Sequence, residues 1–216
     1  AIRPGTKLVF LEAISNPTLE VIDKGGAGPA HPVPLLFVHG AWHAAWCWDE
    51  HFLDFFAGKG YRALALSLRG HGNSLSDKPL RALSITDYVD DGAAVAATRA
   101  SPPVVIGHSF GGLIAQKLLG QNKVAAAIAI DPAPIKGVTP LPPAQLRSAF
   151  PVLGNPLNRG RAKGLTEAQW RYGFGNALPQ EESDALWQQW AIPSPGKPLF
   201  EAAVANFAPN SPAKVD

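Results

Sequence analysis

The segment Gly107-His108-Ser109-Phe110-Gly111-Gly112 is the clearest set of residues in this sequence that could carry out a reaction. It follows the apolar run Val104-Val105-Ile106, which reads as a buried strand, and opens a helical stretch from Phe110 to Leu119 that stops at Gly120. A G-x-S-x-G pattern between a strand and a helix puts its serine on a sharp turn, with the hydroxyl raised above the sheet as a nucleophile. Side chains two positions to either side would collide in so tight a turn, which accounts for the glycines. The helix starting at Phe110 aims backbone N–H groups and its positive dipole end at any negative charge that develops nearby. The bland alternative is a glycine-rich turn with an incidental serine, and the strand–turn–helix setting argues against it. Ser109 is therefore the candidate nucleophile, expected at a positive or near-zero φ.

Other groups carry less. Cys47, the only cysteine, lies between Trp46 and Trp48 with no glycine-flanked elbow, and packing is the expected role for its thiol. No His/Cys/Asp cluster has metal-ligand spacing, and neither a P-loop nor a dinucleotide fingerprint occurs, so no metal and no cofactor is expected.

The elements that must position Ser109 can be read from hydrophobic spacing. Leu35-Leu36-Phe37-Val38, Ala63 to Leu68, Val104 to Ile106 and Ala125 to Ile130 read as strands, the continuous apolar runs as strands covered on both faces. Asp49 to Ala57, with Phe52, Phe55 and Phe56 on one side, and Ile85 to Arg99 read as helices between them. Alternating strands and helices imply an α/β fold with a mostly parallel sheet and helices on both faces. Ahead of these, Leu8 to Leu11 and Leu19 to Ile22 suggest an antiparallel pair turning at Asn16-Pro17. After Asp131 the texture changes. Helices are expected at Pro143–Phe150, Glu167–Tyr172, Glu181–Trp190 and Phe200–Phe207, with Thr166 and Gln180 as caps and no further buried parallel strand. The chain thus divides into a core over residues 1–131, and a helical cap with a lead-in to further core over 132–216.

With 216 residues, 46% of them hydrophobic, the chain can bury one large core. A formal net charge of +2 without long basic runs argues against nucleic acid or anionic membrane as a partner. No apolar run approaches the ~18 residues of a membrane span. A single cysteine needs no oxidising compartment, and Ala1-Ile2-Arg3-Pro4 is no signal peptide, so a cytoplasmic location is expected.

The order His39-Gly40, Arg69-Gly70-His71-Gly72-Asn73-Ser74 and Gly107 to Gly112 resembles the α/β-hydrolase superfamily. The longer stretch His39-Gly40-Ala41-Trp42-His43-Ala44-Ala45-Trp46-Cys47-Trp48 is similar to the H-G-x-x-H-G-A-W-x-W signature of the plant methylesterase and hydroxynitrile-lyase group, and to bacterial esterases and lysophospholipase-like hydrolases. Ala44 stands where that signature has its second glycine. The resemblance covers about residues 8 to 131 well and the remainder loosely. It implies an α/β-hydrolase fold and a Ser–His–acid esterase working through an acyl-Ser109 intermediate on a small ester with an apolar portion. Backbone N–H groups of Ala41 and Phe110 would hold the oxyanion. A lyase or a ligand-binding protein on the same scaffold is the alternative.

The resemblance also exposes a gap. A triad of this kind runs serine, acid, histidine, yet all six histidines (His31, His39, His43, His51, His71 and His108) precede Ser109. The last strands of the fold and the catalytic histidine are expected on a second polypeptide segment. A rewired site with His43 as base is the competing reading. Asp131, at a strand end, is a possible acid, although a routine turn explains it equally, and the acid is rather expected, like the histidine, beyond residue 216. Trp42, Trp170, Phe174, Trp187 and Trp190 are candidates to line an apolar substrate site, or to pack the cap.

Overall fold

The computed structural model describes residues 18–25, 31–139 and 142–215. β2 (Leu35–Val38) and β3 (Ala63–Leu66) are apolar and buried at every position, as strands covered on both faces must be. With β1 (Val21–Lys24), β4 (Val104–His108) and β5 (Ala126–Ile130) they form a five-stranded sheet ordered β1-β3-β2-β4-β5. The pairs β3–β2, β2–β4 and β4–β5 are parallel; β1 runs antiparallel to β3, with Val21 opposite Leu66. The strand expected at Leu8–Leu11 and its turn lie outside the described residues, and the one expected at Leu19–Ile22 forms two residues later, as β1.

Alternation along β2 and β3 sorts the core into two layers. Leu36, Val38, Leu64 and Leu66 face α3 (Ile85–Ala97) and α4 (Phe110–Gly120). Leu35, Phe37, Ala63 and Ala65 face α1 (Trp46–Asp49) and α2 (Phe52–Gly58). A capping box between Ser84 and Asp87 fixes the start of α3.

Several expected elements are corrected. The single helix over Asp49–Ala57 is two, because His51 leaves helical geometry at φ −143°; Leu53 and Phe56 are then the residues that pack inward, while Phe52 and Phe55 are exposed. The strand ends at Leu66 rather than Leu68, since the Leu68 N–H donates to His39 Nε2 instead of continuing the ladder. The helix expected to reach Arg99 stops at Ala97, with the Thr98 hydroxyl donating back to Val95 O.

Residues beyond Asp131 form α5 (Pro143–Leu153), α6 (Glu167–Gly173), α7 (Gln180–Trp190) and α8 (Gly196–Ala203). Thr166 caps α6 through a capping box with Gln169, as expected. Gln180 caps nothing: it is the first residue of α7 and its amide binds Asp184. The helix expected at Phe200–Phe207 begins earlier, at Gly196, and breaks at Val204 before a 3-10 turn. A two-residue antiparallel ribbon, β6 (Ala162–Lys163) with β7 (Ser194–Pro195), was not foreseen. Such short pairing leaves no periodic trace in a sequence.

Candidate active site

Ser109 sits between β4 and α4 with φ 53° and ψ −114°, a strained conformation for a residue with a side chain. Its backbone is held from three sides. Its N–H donates to Ile130 O on β5, and its carbonyl accepts from Gly112 and from Ala133. Its hydroxyl makes no capping bond to α4 and is left for other work. The two glycines answer to specific neighbours: a Cβ at Gly107 would overlap the Gly111 carbonyl, and one at Gly111 would overlap the Val38 carbonyl at the end of β2. Phe110, as first residue of α4, has no intrahelical acceptor for its N–H.

The end of β2 brings the second loop to the same place. A Cβ on Gly40 would lie 3.1 Å from Ser109 Cβ, so the loop from His39 to Trp42 runs directly against the elbow. Ala41 and Phe110 line one side of a narrow cleft whose other side is Ser194, Pro195 and Leu199. Its volume of ≈10 Å³ holds about one water molecule. A larger depression of ≈680 Å³, lined by Asp23, Arg62 and Arg99, lies at the opposite ends of the strands.

The histidines divide by what their ring nitrogens touch. His39 Nδ1 donates to Gly40 O at 2.7 Å while Nε2 accepts from Leu68, and burial holds its pKa well below the ordinary value. His71 Nδ1 donates to Arg69 O, and its Nε2 accepts from the Ser194 hydroxyl at 3.4 Å. Burial lowers His71 to about 4. His43 Nδ1 donates to Ala41 O at 3.0 Å. The His43 ring is enclosed by Trp46, Trp170 and Phe174. Burial brings it too to about 4. His108 is lowered by burial, against the opposing charge of Asp131. Among the described residues no histidine is hydrogen-bonded to Ser109 Oγ. Asp131 is exposed at the end of β5, with φ 41°. Burial raises the Cys47 thiol to about 12, which disfavours its thiolate.

The five aromatic candidates come together in one cluster. Trp42 and Trp170 are buried with Val152 and Leu165, and Phe174, Trp187 and Trp190 pack against them. Trp42 Nε1 donates to Lys163 O and Trp187 Nε1 to Leu165 O. Trp46, not singled out in the sequence for this role, stacks on Trp190 at 4.4 Å between ring centres. Tyr88 and Leu68, also unforeseen, complete the cleft floor. Both come from loop and helix positions whose pattern reads only as core.

The order of strands, the elbow and the loop after β2 agree with what known proteins show: residues 35–214 match the profile of the Alpha/beta hydrolase family. The chain belongs to that family. Methylesterase 18 of Arabidopsis thaliana is 29% identical over 146 residues, 66% of this chain and 52% of that protein. The non-heme chloroperoxidase of Streptomyces lividans is 35% identical over 111 residues, 50% of this chain and 39% of that protein. This hydrolase-family chain therefore spans about half the length, or less, of these curated relatives. A solved carboxylesterase structure from the thaumarchaeon Nitrososphaera gargenis superimposes with a TM-score of 0.63 at 23% identity, over 95% of this chain and 74% of that one. An extracellular alpha/beta-hydrolase from a Paenibacillus species gives 0.63 at 23% identity, over 78% and 69%. These structures share the fold. Among the described residues no helix is long and apolar enough to cross a membrane.

Proposed function

We propose that this chain is the nucleophile-bearing part of a serine hydrolase that cleaves carboxylic esters with an apolar portion. The observation that carries the reading is Ser109: a strained elbow serine with an uncommitted hydroxyl at the start of α4, pressed against the Gly40–Ala41 loop. Ser109 Oγ attacks the ester carbonyl carbon and gives its proton to a general base. The oxyanion is held by the N–H groups of Ala41 and Phe110, each worth about 10²–10³ in rate. Collapse expels the alcohol, which takes the proton back, and leaves acyl-Ser109. Water then attacks, the base takes its proton, and the acid and free Ser109 are released. Trp42, Trp170, Phe174, Trp187 and Trp190 supply the apolar wall on the cap side.

The base comes from a further polypeptide segment seated on β5. Two features favour that place. β5 ends the sheet with Ile128 and Ile130 exposed. Residues 206–214 are tied to the segment leaving β5, through Lys136 N–H to Ala213 O, Gly137 N–H to Asn206 Oδ1 and Lys136 Nζ to Ala208 O. Asp131 stands on the same edge, and a covering segment that brings the histidine would bury it as a candidate acid.

Intact-mass analysis of the active species, with p-nitrophenyl acetate turnover as readout, tests the reading. The expected species carries residues 1–216 with an additional histidine-bearing segment. A lone 216-residue species that turns over with His43 bonded to Ser109 would overturn it. Ester binding without turnover in the complemented protein would favour the lyase or receptor alternative.

A further inference from the structure

The cap touches the oxyanion loop at three residues in five, each by a different kind of contact. Trp42 donates its indole N–H to Lys163 O on β6. His43 packs against the rings of Trp170 (5.3 Å between centres, 21° between planes) and Phe174 (4.5 Å, 68°), which also touch each other. Trp46 stacks on Trp190. These contacts surround a loop in an unfavourable shape. Trp42 has φ 64°, the left-handed region that bulky residues avoid, and it persists only where its surroundings hold it.

His43 makes the one bond from inside this aromatic enclosure back to the loop backbone, Nδ1 to Ala41 O at 3.0 Å. A carbonyl only accepts, so the proton resides on Nδ1. The Ala41–Trp42 peptide is thereby fixed at its carbonyl by a ring that the cap holds through Trp170 and Phe174. That peptide directly follows Ala41, the residue whose N–H the serine-hydrolase reading assigns to the oxyanion.

We infer that His43 is a positioning residue through which the cap holds the oxyanion loop in its working conformation, so that docking of the cap and assembly of the oxyanion site are one event. This rests on the serine-hydrolase reading for its catalytic consequence, but its structural content can be measured without turnover. It is distinct from the role of His43 as base: the ring makes no hydrogen bond to Ser109 and is enclosed by Trp46, Trp170 and Phe174.

The test uses two substitutions with opposite chemistry. His43→Phe keeps a flat ring for Trp170 and Phe174 and removes the donor. His43→Asn keeps a donor near the Nδ1 position and removes most of the ring. Backbone ¹⁵N order parameters are read on the 216-residue chain. For Ala41 and Trp42 the expected values are about 0.85 in the wild type and below about 0.6 in H43F, with β2 and α4 unchanged and H43N near wild type. In the complemented protein, kcat for p-nitrophenyl acetate is expected to fall at least tenfold in H43F with KM within twofold, and to recover in H43N. Trp170→Ala, which removes one of the two cap rings against His43, should loosen the same two amides. Order parameters that stay high in H43F, or that fall throughout the domain, overturn the inference; so does H43N behaving like H43F. Should H43F fail to fold, H43N and W170A decide by the same amides. Loop values as expected with no wild-type turnover would overturn ester hydrolysis and leave the positioning role intact.

Discussion

Among the described residues, the two outer strands of the sheet are built to opposite rules. β1 carries charge: Asp23 pairs with Arg62 at 2.6 Å and approaches Arg99 at 3.9 Å, and Lys24 reaches both Asp49 and Asp54. Charged side chains of this kind discourage an edge strand from pairing with another chain. β5 carries none. Its sequence is Ala126-Ala127-Ile128-Ala129-Ile130, and Ile128 is 50% exposed. An apolar edge left open invites a strand. Among the described residues, charge lies on one outer strand and an open apolar edge on the other.

Covering β5 should produce the largest effect. Adding a histidine-bearing segment that pairs with β5 is expected to raise p-nitrophenyl acetate hydrolysis by about 10⁴ or more, the scale on which a triad base acts. Ser109→Ala should abolish that gain while changing stability by no more than ~1 kcal/mol, measured by urea denaturation, since the hydroxyl makes no capping bond to α4. Equal activity with and without the segment would erase the functional distinction between the edges.

Acid should act next, and at neither edge. His43 and His71 are buried at the middle of the sheet's upper end and lowered from 6.5 to about 4. The unfolded chain takes up these protons first, so their contribution is complete above pH 6.5 and is lost as pH falls towards about 4. Each is worth on the order of 3 kcal/mol at most. The melting temperature should therefore drop across that window, and a flat profile from pH 7 to 4 would contradict the burial of both rings.

The smallest effects sharpen the edge comparison directly. Ile128→Lys should reduce self-association, seen by light scattering, with stability within about 0.5 kcal/mol. Arg62→Ala, which removes a solvent-exposed pair, should cost no more than ~1 kcal/mol and leave association unchanged. If I128K left association as it was, the open edge would not be the sticky one.

The central sheet was legible because its signals are local. Four consecutive apolar residues announce β2, and five residues contain the elbow. The cap was legible only as helices. Its placement depends on contacts such as Trp42 with Lys163, 121 residues apart, and Trp46 with Trp190, which no sequence window holds. For the same reason the aromatic candidates could be named but not His43's bond to Ala41, which matters only once Trp170 and Phe174 are in place. The break between α1 and α2 was hidden by three phenylalanines at helical spacing, two of which the fold leaves outside.

The geometry of the elbow also separates what folding requires from what reaction requires. At Gly107 and Gly111 any side chain meets backbone, so a library selected only for folded protein should retain glycine at both. At Ser109 the same selection should reward loss of the serine, because φ 53° suits glycine or asparagine better. Three alternate residues of one turn would then carry different histories under drift: two that cannot change without cost, and between them one that only continued catalysis would keep.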